Sequence, residues 1–187
     1  GDATLLYLAQ NGYGKNILLV GTESLERQFL EAGYVLNAEN PAAVVLGFDT
    51  TLTYQKLTAL CNAVRAGLPY VATHPDFNCP VEGGYIPDIG AVIAFVEAST
   101  GRRPDVVVGK PNGTIAMAAA SRFGVPLESL CMVGDRLYTD IALGACDIST
   151  ALVLCGETTR QALAESSLVP TYVFENLAQM AEALAAE

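Results

Sequence analysis

Apolar runs of three to five residues alternate along the chain with longer stretches in which hydrophobic positions recur every three or four residues. The short runs read as buried strands and the longer ones as amphipathic helices. Residues Ala3 to Asn11 predict a helix, Asn16 to Val20 a strand and Ser24 to Ala32 a helix ending at Gly33. Ala43 to Gly47 predicts another strand, and Tyr54 to Ala66 a helix with Leu57, Leu60, Cys61 and Val64 on one face, closed by Gly67. Tyr70 to Thr73 reads as a strand, followed by an irregular loop through Pro87 and by a helix that Asp88 caps, running to about Ser99. The polar stretch Thr100-Gly101-Arg102-Arg103-Pro104 reads as a hinge, which places a domain boundary between residues 103 and 104.

After the hinge the alternation tightens. Strands are expected at Val106–Val108, Leu130–Val133, Thr150–Leu154 and Tyr172–Phe174, and helices at Thr114–Phe123, Leu137–Ala145, Arg160–Glu165 and Ala178–Ala185. Near-continuous apolar strands with helices between them imply an α/β fold with a parallel sheet covered on both faces. In such sheets function collects at the carboxyl ends of the strands. Two of those ends carry chemistry: Val106-Val107-Val108-Gly109-Lys110-Pro111 delivers a lysine, and Cys131-Met132-Val133-Gly134-Asp135 delivers an acid, with Asp140 five residues on.

Asp135 and Asp140 are hard oxygen donors of the kind that suit Mg²⁺, which usually takes one or two protein carboxylates and keeps several waters. Lys110 is a compact charge able to neutralise a phosphate or hold a carboxylate nucleophile ionised. Each alone reads as a helix cap, a surface acid or a solvated strand end. Together, at what the pattern makes consecutive strand ends of one sheet, they point to metal and phosphate chemistry.

The composition narrows the partners. Twenty acids against ten Lys and Arg leave a net charge of −10, spread along the chain, which argues against binding nucleic acid or an anionic membrane surface. No apolar run approaches the roughly 18 residues of a membrane-spanning helix. Five cysteines, an odd number with no C-x-x-C, fit a reducing compartment and a cytoplasmic location better than a disulfide framework. P-loop spacing and a G-x-S-x-G elbow are both lacking, and a single histidine does not build a His-based zinc site.

Gly109-Lys110-Pro111-Asn112 and Val133-Gly134-Asp135-Arg136-Leu137-Tyr138-Thr139-Asp140 resemble the third and fourth motifs of haloacid dehalogenase (HAD)-superfamily phosphatases, and among them the nitrophenylphosphatase-like branch with a type IIA cap. Ala72-Thr73-His74-Pro75-Asp76, Ile86-Pro87-Asp88-Ile89-Gly90-Ala91 and Ser99-Thr100-Gly101-Arg102-Arg103-Pro104 resemble that branch's cap-to-core stretch, so the likeness runs over almost the whole chain. It implies an α/β cap domain over residues 1–103 and the C-terminal half of a Rossmann-like parallel-sheet core over 104–187. It implies a Mg²⁺-dependent phosphatase of a small phosphomonoester, with Lys110 as the catalytic lysine and Asp135 and Asp140 at the metal. Asp76 would face the leaving group, and His74, where the family usually has Asn, would be either a specificity residue or an ordinary loop histidine. The branch often pairs through its caps, which makes a homodimer an expectation.

The family's Asp-x-Asp motif, whose first Asp accepts the phosphoryl group, is not identifiable. The imitation Leu46-Gly47-Phe48-Asp49-Thr50-Thr51 puts Gly47 at the nucleophile position, so Asp49 reads as a cap-loop or helix-capping residue. The chain also lacks an initiator Met, which suggests an N-terminally truncated fragment that is inactive by itself and that aggregates, dimerises or keeps only its cap folded. The competing expectation is a non-catalytic binding or assembly module that retains the cap.

Overall fold

In the computed structural model, residues 1–36 and 39–186 are described, and they form two compact units, Gly1–Gly109 and Lys110–Glu187. Both are α/β with parallel sheets, as the alternation predicts.

The first unit runs α1 (Asp2–Gln10), β1 (Asn16–Val20), α2 (Glu23–Glu31), β2 (Val35–Leu36), β3 (Ala43–Leu46), α3 (Tyr54–Arg65), β4 (Tyr70–Ala72), β5 (Asn78–Val81), β6 (Gly84–Pro87), α4 (Ile89–Thr100) and β7 (Val106–Val107). Its five-stranded parallel sheet has the order β2-β1-β3-β4-β7, with Leu18 opposite Val44 and Val45 opposite Val71. Successive strand residues face opposite sides. Val44, Leu46, Tyr70 and Ala72 join Leu60, Val64, Ile89 and Val96 of α3 and α4 in one apolar cluster. Ala43, Val45 and Val71 join Leu8 of α1 and Phe29 of α2 in the other. Covering on both faces explains why β3 is apolar at every position.

Side-chain oxygens start α2, α3 and α4. Thr22 accepts from the Leu25 N–H at 3.4 Å, Thr53 from the Lys56 N–H at 3.2 Å, and Asp88 from the Ile89 N–H at 2.6 Å. They satisfy amides that have no partner within the helix. Gly101 ends α4 at φ 72°, a left-handed position that glycine takes without a Cβ penalty.

The second unit runs α5 (Thr114–Phe123), β8 (Cys131–Gly134), β9 (Ser149–Val153), α6 (Arg160–Glu165), β10 (Tyr172–Phe174) and α7 (Leu177–Ala185). Its parallel sheet has the order β10-β9-β8, over a small core of Ala116, Leu143 and Ile148. Among the described residues no helix is long and apolar enough to cross a membrane.

Four expectations need correcting. The division falls between Gly109 and Lys110 and not at residue 103, because β7 is hydrogen-bonded into the first sheet, Val71 opposite Val106 and Ala72 opposite Val107. Lys110 and Asp135 therefore do not follow neighbouring strands of one sheet: β7 lies in the first sheet and β8 in the second. The segment 78–87 is an antiparallel hairpin and not an irregular loop, turning at Gly83 with φ 81°. Residues Leu137–Ile141 form a π-type turn followed by a 3₁₀ segment, Ala142–Cys146, and not an α-helix.

Candidate functional site

The site in the second unit is built where β8 ends. Val133-Gly134 brings the chain to the sheet edge, Asp135 follows, and the π-type turn folds Asp140 back toward the strand. The Arg136 carbonyl accepts from both the Asp140 N–H (3.0 Å) and the Ile141 N–H (3.1 Å), which widens the turn. Such turns are frequent at functional sites. Gly134 is part of the device, because a Cβ there would fall inside the Asp140 carboxyl group.

Asp140 is only 3% exposed. Its Oδ1 accepts from the Lys110 Nζ at 2.6 Å, and its Oδ2 accepts from the Arg136 N–H at 3.1 Å. A buried carboxylate is costly unless paired and hydrogen-bonded, and here both oxygens are engaged. The Lys110 side chain is more than a third exposed, so the lysine is anchored by Asp140 without being enclosed.

Asp135 is held differently. Its Oδ2 accepts from the Glu157 N–H at 2.8 Å, its carbonyl accepts from the Thr158 N–H at 3.1 Å, and among the described residues no donor reaches Oδ1. One fixed and one available oxygen suit a hard divalent cation. Glu157 is the neighbour that sequence reasoning missed. It lies twenty-two residues beyond Asp135 and contacts it through the backbone, so no residue-type signal marks it; the register of β8 with β9 is what brings it there.

The first unit carries a separate cluster. His74 follows β4, its Nδ1 hydrogen-bonded to Thr73 Oγ1 at 2.9 Å and its Nε2 to Asp88 Oδ1 at 2.8 Å. A ring with its proton on Nε2 faces the carboxylate and lets Nδ1 accept from the Thr73 hydroxyl. Donor atoms of His74, Asp76 and Asp88 lie within 4.8 Å of one another. Asp88 Oδ1 already serves both the first amide of α4 and the imidazole, which makes it a helix cap and a brace for the loop.

The Asp49 side chain is enclosed and committed. Its Oδ1 accepts from the Thr51 N–H (2.8 Å) and Thr51 Oγ1 (2.6 Å), and its Oδ2 pairs with Lys56 Nζ at 2.6 Å. Burial raises its pKa, but the hydrogen bonds from Lys56 and Thr51 outweigh it and hold the carboxyl below its ordinary value. It is a structural residue of the loop after β3, while Thr53 is the helix cap.

The HAD-hydrolase-like family profile matches residues 107–180. The acid sugar phosphatase of Staphylococcus aureus is 34% identical over 177 residues, which cover 94% of this chain and 68% of that protein. The 4-nitrophenylphosphatase structure from Thermotoga maritima superposes with a TM-score of 0.88 at 46% identity, over 97% of this chain and 70% of that one. A glycerol phosphate phosphatase from Mycobacterium tuberculosis, solved in complex with magnesium, superposes with a TM-score of 0.85 at 29% identity, over 95% of this chain and 56% of that one.

Proposed function

We infer the function from one premise: the chain belongs to the HAD-like hydrolase family, in the branch of nitrophenylphosphatase-like proteins with a type IIA cap. Its relatives are phosphatases, so its class is that of a phosphoric monoester hydrolase. The reading we favour is a Mg²⁺-dependent phosphatase of small phosphomonoesters, with the first unit as cap and the second as the C-terminal part of the catalytic core. The observation that carries it is the Lys110–Asp140 pair beside Asp135, an anchored ammonium next to a carboxylate with one available oxygen.

In this reading Asp135 is the direct Mg²⁺ ligand, through Oδ1. Asp140 supports the site by aiming Lys110, and its own oxygens stay on Lys110 and the Arg136 amide. The magnesium-bound relative supports the choice of ion. The ion, when bound, supplies charge neutralisation and alignment of the phosphoryl oxygens. Lys110 adds a second positive charge that steadies the acceptor carboxylate and the charge spread over the transferring group. Asp76 is assigned to the leaving group on the family resemblance, while His74, with both ring nitrogens bonded to Thr73 and Asp88, braces that loop.

The acceptor is an aspartate outside these 187 residues, since they contain no Asp-x-Asp and Asp49 is fully engaged. A carboxylate oxygen attacks phosphorus, the ester P–O bond breaks, and the leaving oxygen takes a proton from a neighbouring acid. Water then attacks the aspartyl-phosphate at phosphorus and gives a proton back to that acid, releasing inorganic phosphate and restoring the carboxylate.

The 187 residues alone are expected to show no turnover of 4-nitrophenyl phosphate with Mg²⁺. Joining the N-terminal segment of the Thermotoga maritima 4-nitrophenylphosphatase upstream of residue 1 should create activity. In that chimera Lys110→Ala and Asp135→Asn should each lose about 100-fold or more, the scale of removing one electrostatic contact to the transition state. A folded chimera without activity, or turnover by the 187 residues alone, would overturn this reading.

A further inference from the structure

We propose that the turn Gly156-Glu157-Thr158, which follows β9 at the edge where Asp135 stands, is a cradle that fixes the Asp135 carboxylate for a divalent cation, with Glu157 as a positioning residue. The inference rests on the reading of Asp135 as a metal ligand and adds what sets its direction.

Four hydrogen bonds and one glycine make the cradle. The Glu157 N–H donates to Asp135 Oδ2 at 2.8 Å, and the Thr158 N–H donates to the Asp135 carbonyl at 3.1 Å, so side chain and backbone are gripped together. The Glu157 carboxylate accepts from Arg136 Nε at 2.7 Å and from Tyr138 Oη at 3.1 Å, which ties down the chain just beyond Asp135. Gly156 supplies the space: a Cβ there would fall inside the Asp135 carboxylate. Gly156 is not among the glycines at positive φ, so what excludes a side chain is the carboxylate and not the backbone conformation.

With Oδ2 held by an amide, the carboxylate cannot rotate freely, and Oδ1 presents its lone pairs in one direction. Groups that orient a ligand in this way typically change metal affinity about 10–100-fold when removed. The ion pair of Glu157 with Arg136 is half-exposed and contributes little to stability, so its loss should be read at the metal and not in the melting curve.

The test uses the chimera described above as the parent, with Mn²⁺ as the probe. Binding is followed by calorimetry and by paramagnetic broadening of the Arg136, Glu157 and Thr158 amide signals. Gly156→Ala and Glu157→Ala should each weaken Mn²⁺ binding by about 10-fold or more, and Glu157→Ala should do so with a melting temperature close to that of the parent. Glu157→Gln, which keeps an acceptor for Arg136 and Tyr138, should recover most of the loss. Asp135→Asn should abolish the broadening. If Asp135→Asn binds like the parent, or the parent shows no broadening, the metal reading fails and takes the cradle with it. If Asp135→Asn loses binding while Glu157→Ala keeps it, the metal reading stands and the cradle is wrong. Should Gly156→Ala fail to fold, the Glu157 pair decides.

Discussion

At the scale of single residues, the first unit stores polar groups in its interior in two opposite ways. Tyr70 is fully buried beneath α3 and α4, and among the described residues its hydroxyl has no hydrogen-bond partner. Burial, with the Cys61 thiol adding to it, pushes its ionisation well above the ordinary phenol value. Removing an unsatisfied hydroxyl spares its desolvation cost, so Tyr70→Phe should stabilise the first unit by about 1 kcal/mol, read from its urea midpoint. Asp49 is the satisfied counterpart. Its folded-state pKa lies below the unfolded value, so the stability it contributes is present above the unfolded pKa and is lost as the pH falls through the folded one. Asp49→Asn should therefore cost about 1–3 kcal/mol at neutral pH. The difference from the parent should hold steady down to about pH 5 and shrink below about pH 4, where the unfolded carboxylate protonates. A difference that stayed constant to pH 2 would show that the charge of Asp49 contributes nothing.

Among the elements, most helices and strands were legible because burial writes its period into the residues. The helix Thr114–Phe123 and the strands Asn16–Val20 and Tyr172–Phe174 stand where the pattern puts them. The hairpin β5–β6 was not legible, since its strands are mostly exposed and carry no apolar alternation. The π-type turn at 137–141 escaped for a different reason: Leu137, Ile141 and Ala142 have helical spacing, and the competing force is the Asp140 side chain, which binds back to the Arg136 amide. The candidate site was legible in the same uneven way. Lys110, Asp135 and Asp140 announce themselves by residue type after apolar runs, whereas the sheet each strand joins depends on hydrogen-bond partners distant in sequence. Asp88 ties an element to a loop, capping α4 while holding His74. Asp88→Ala should cost about 1–2 kcal/mol, the scale of a lost helix cap, and should shift the amide signals of residues 73–77. Unchanged signals there would mean that the cap alone matters.

For the molecule as a whole, the apolar interior is divided unequally. Among the described residues the first unit buries two large clusters, one on each face of its sheet, while the second has one small cluster around Ala116, Leu143 and Ile148. Each large side chain that is buried adds roughly 1.5–3 kcal/mol, so the larger interior is the more stable one. Urea should therefore unfold the second unit first. Hydrogen exchange should leave β3 and β4 protected under conditions where β8 and β9 have exchanged. A single transition with equal protection across both sheets would contradict this.

The division between the units falls at one peptide bond, between Gly109 and Lys110. Everything upstream of that bond, including His74 and Asp76, is spliced to the lysine without sharing a strand with it. The bond is thus a natural recombination seam. A homologous first unit joined there would replace His74, Asp76 and their loops, while Lys110, Asp140 and the Asp135 turn would pass to the hybrid unaltered. On the proposed reading, substrate preference and ionic chemistry would then be inherited as separate traits.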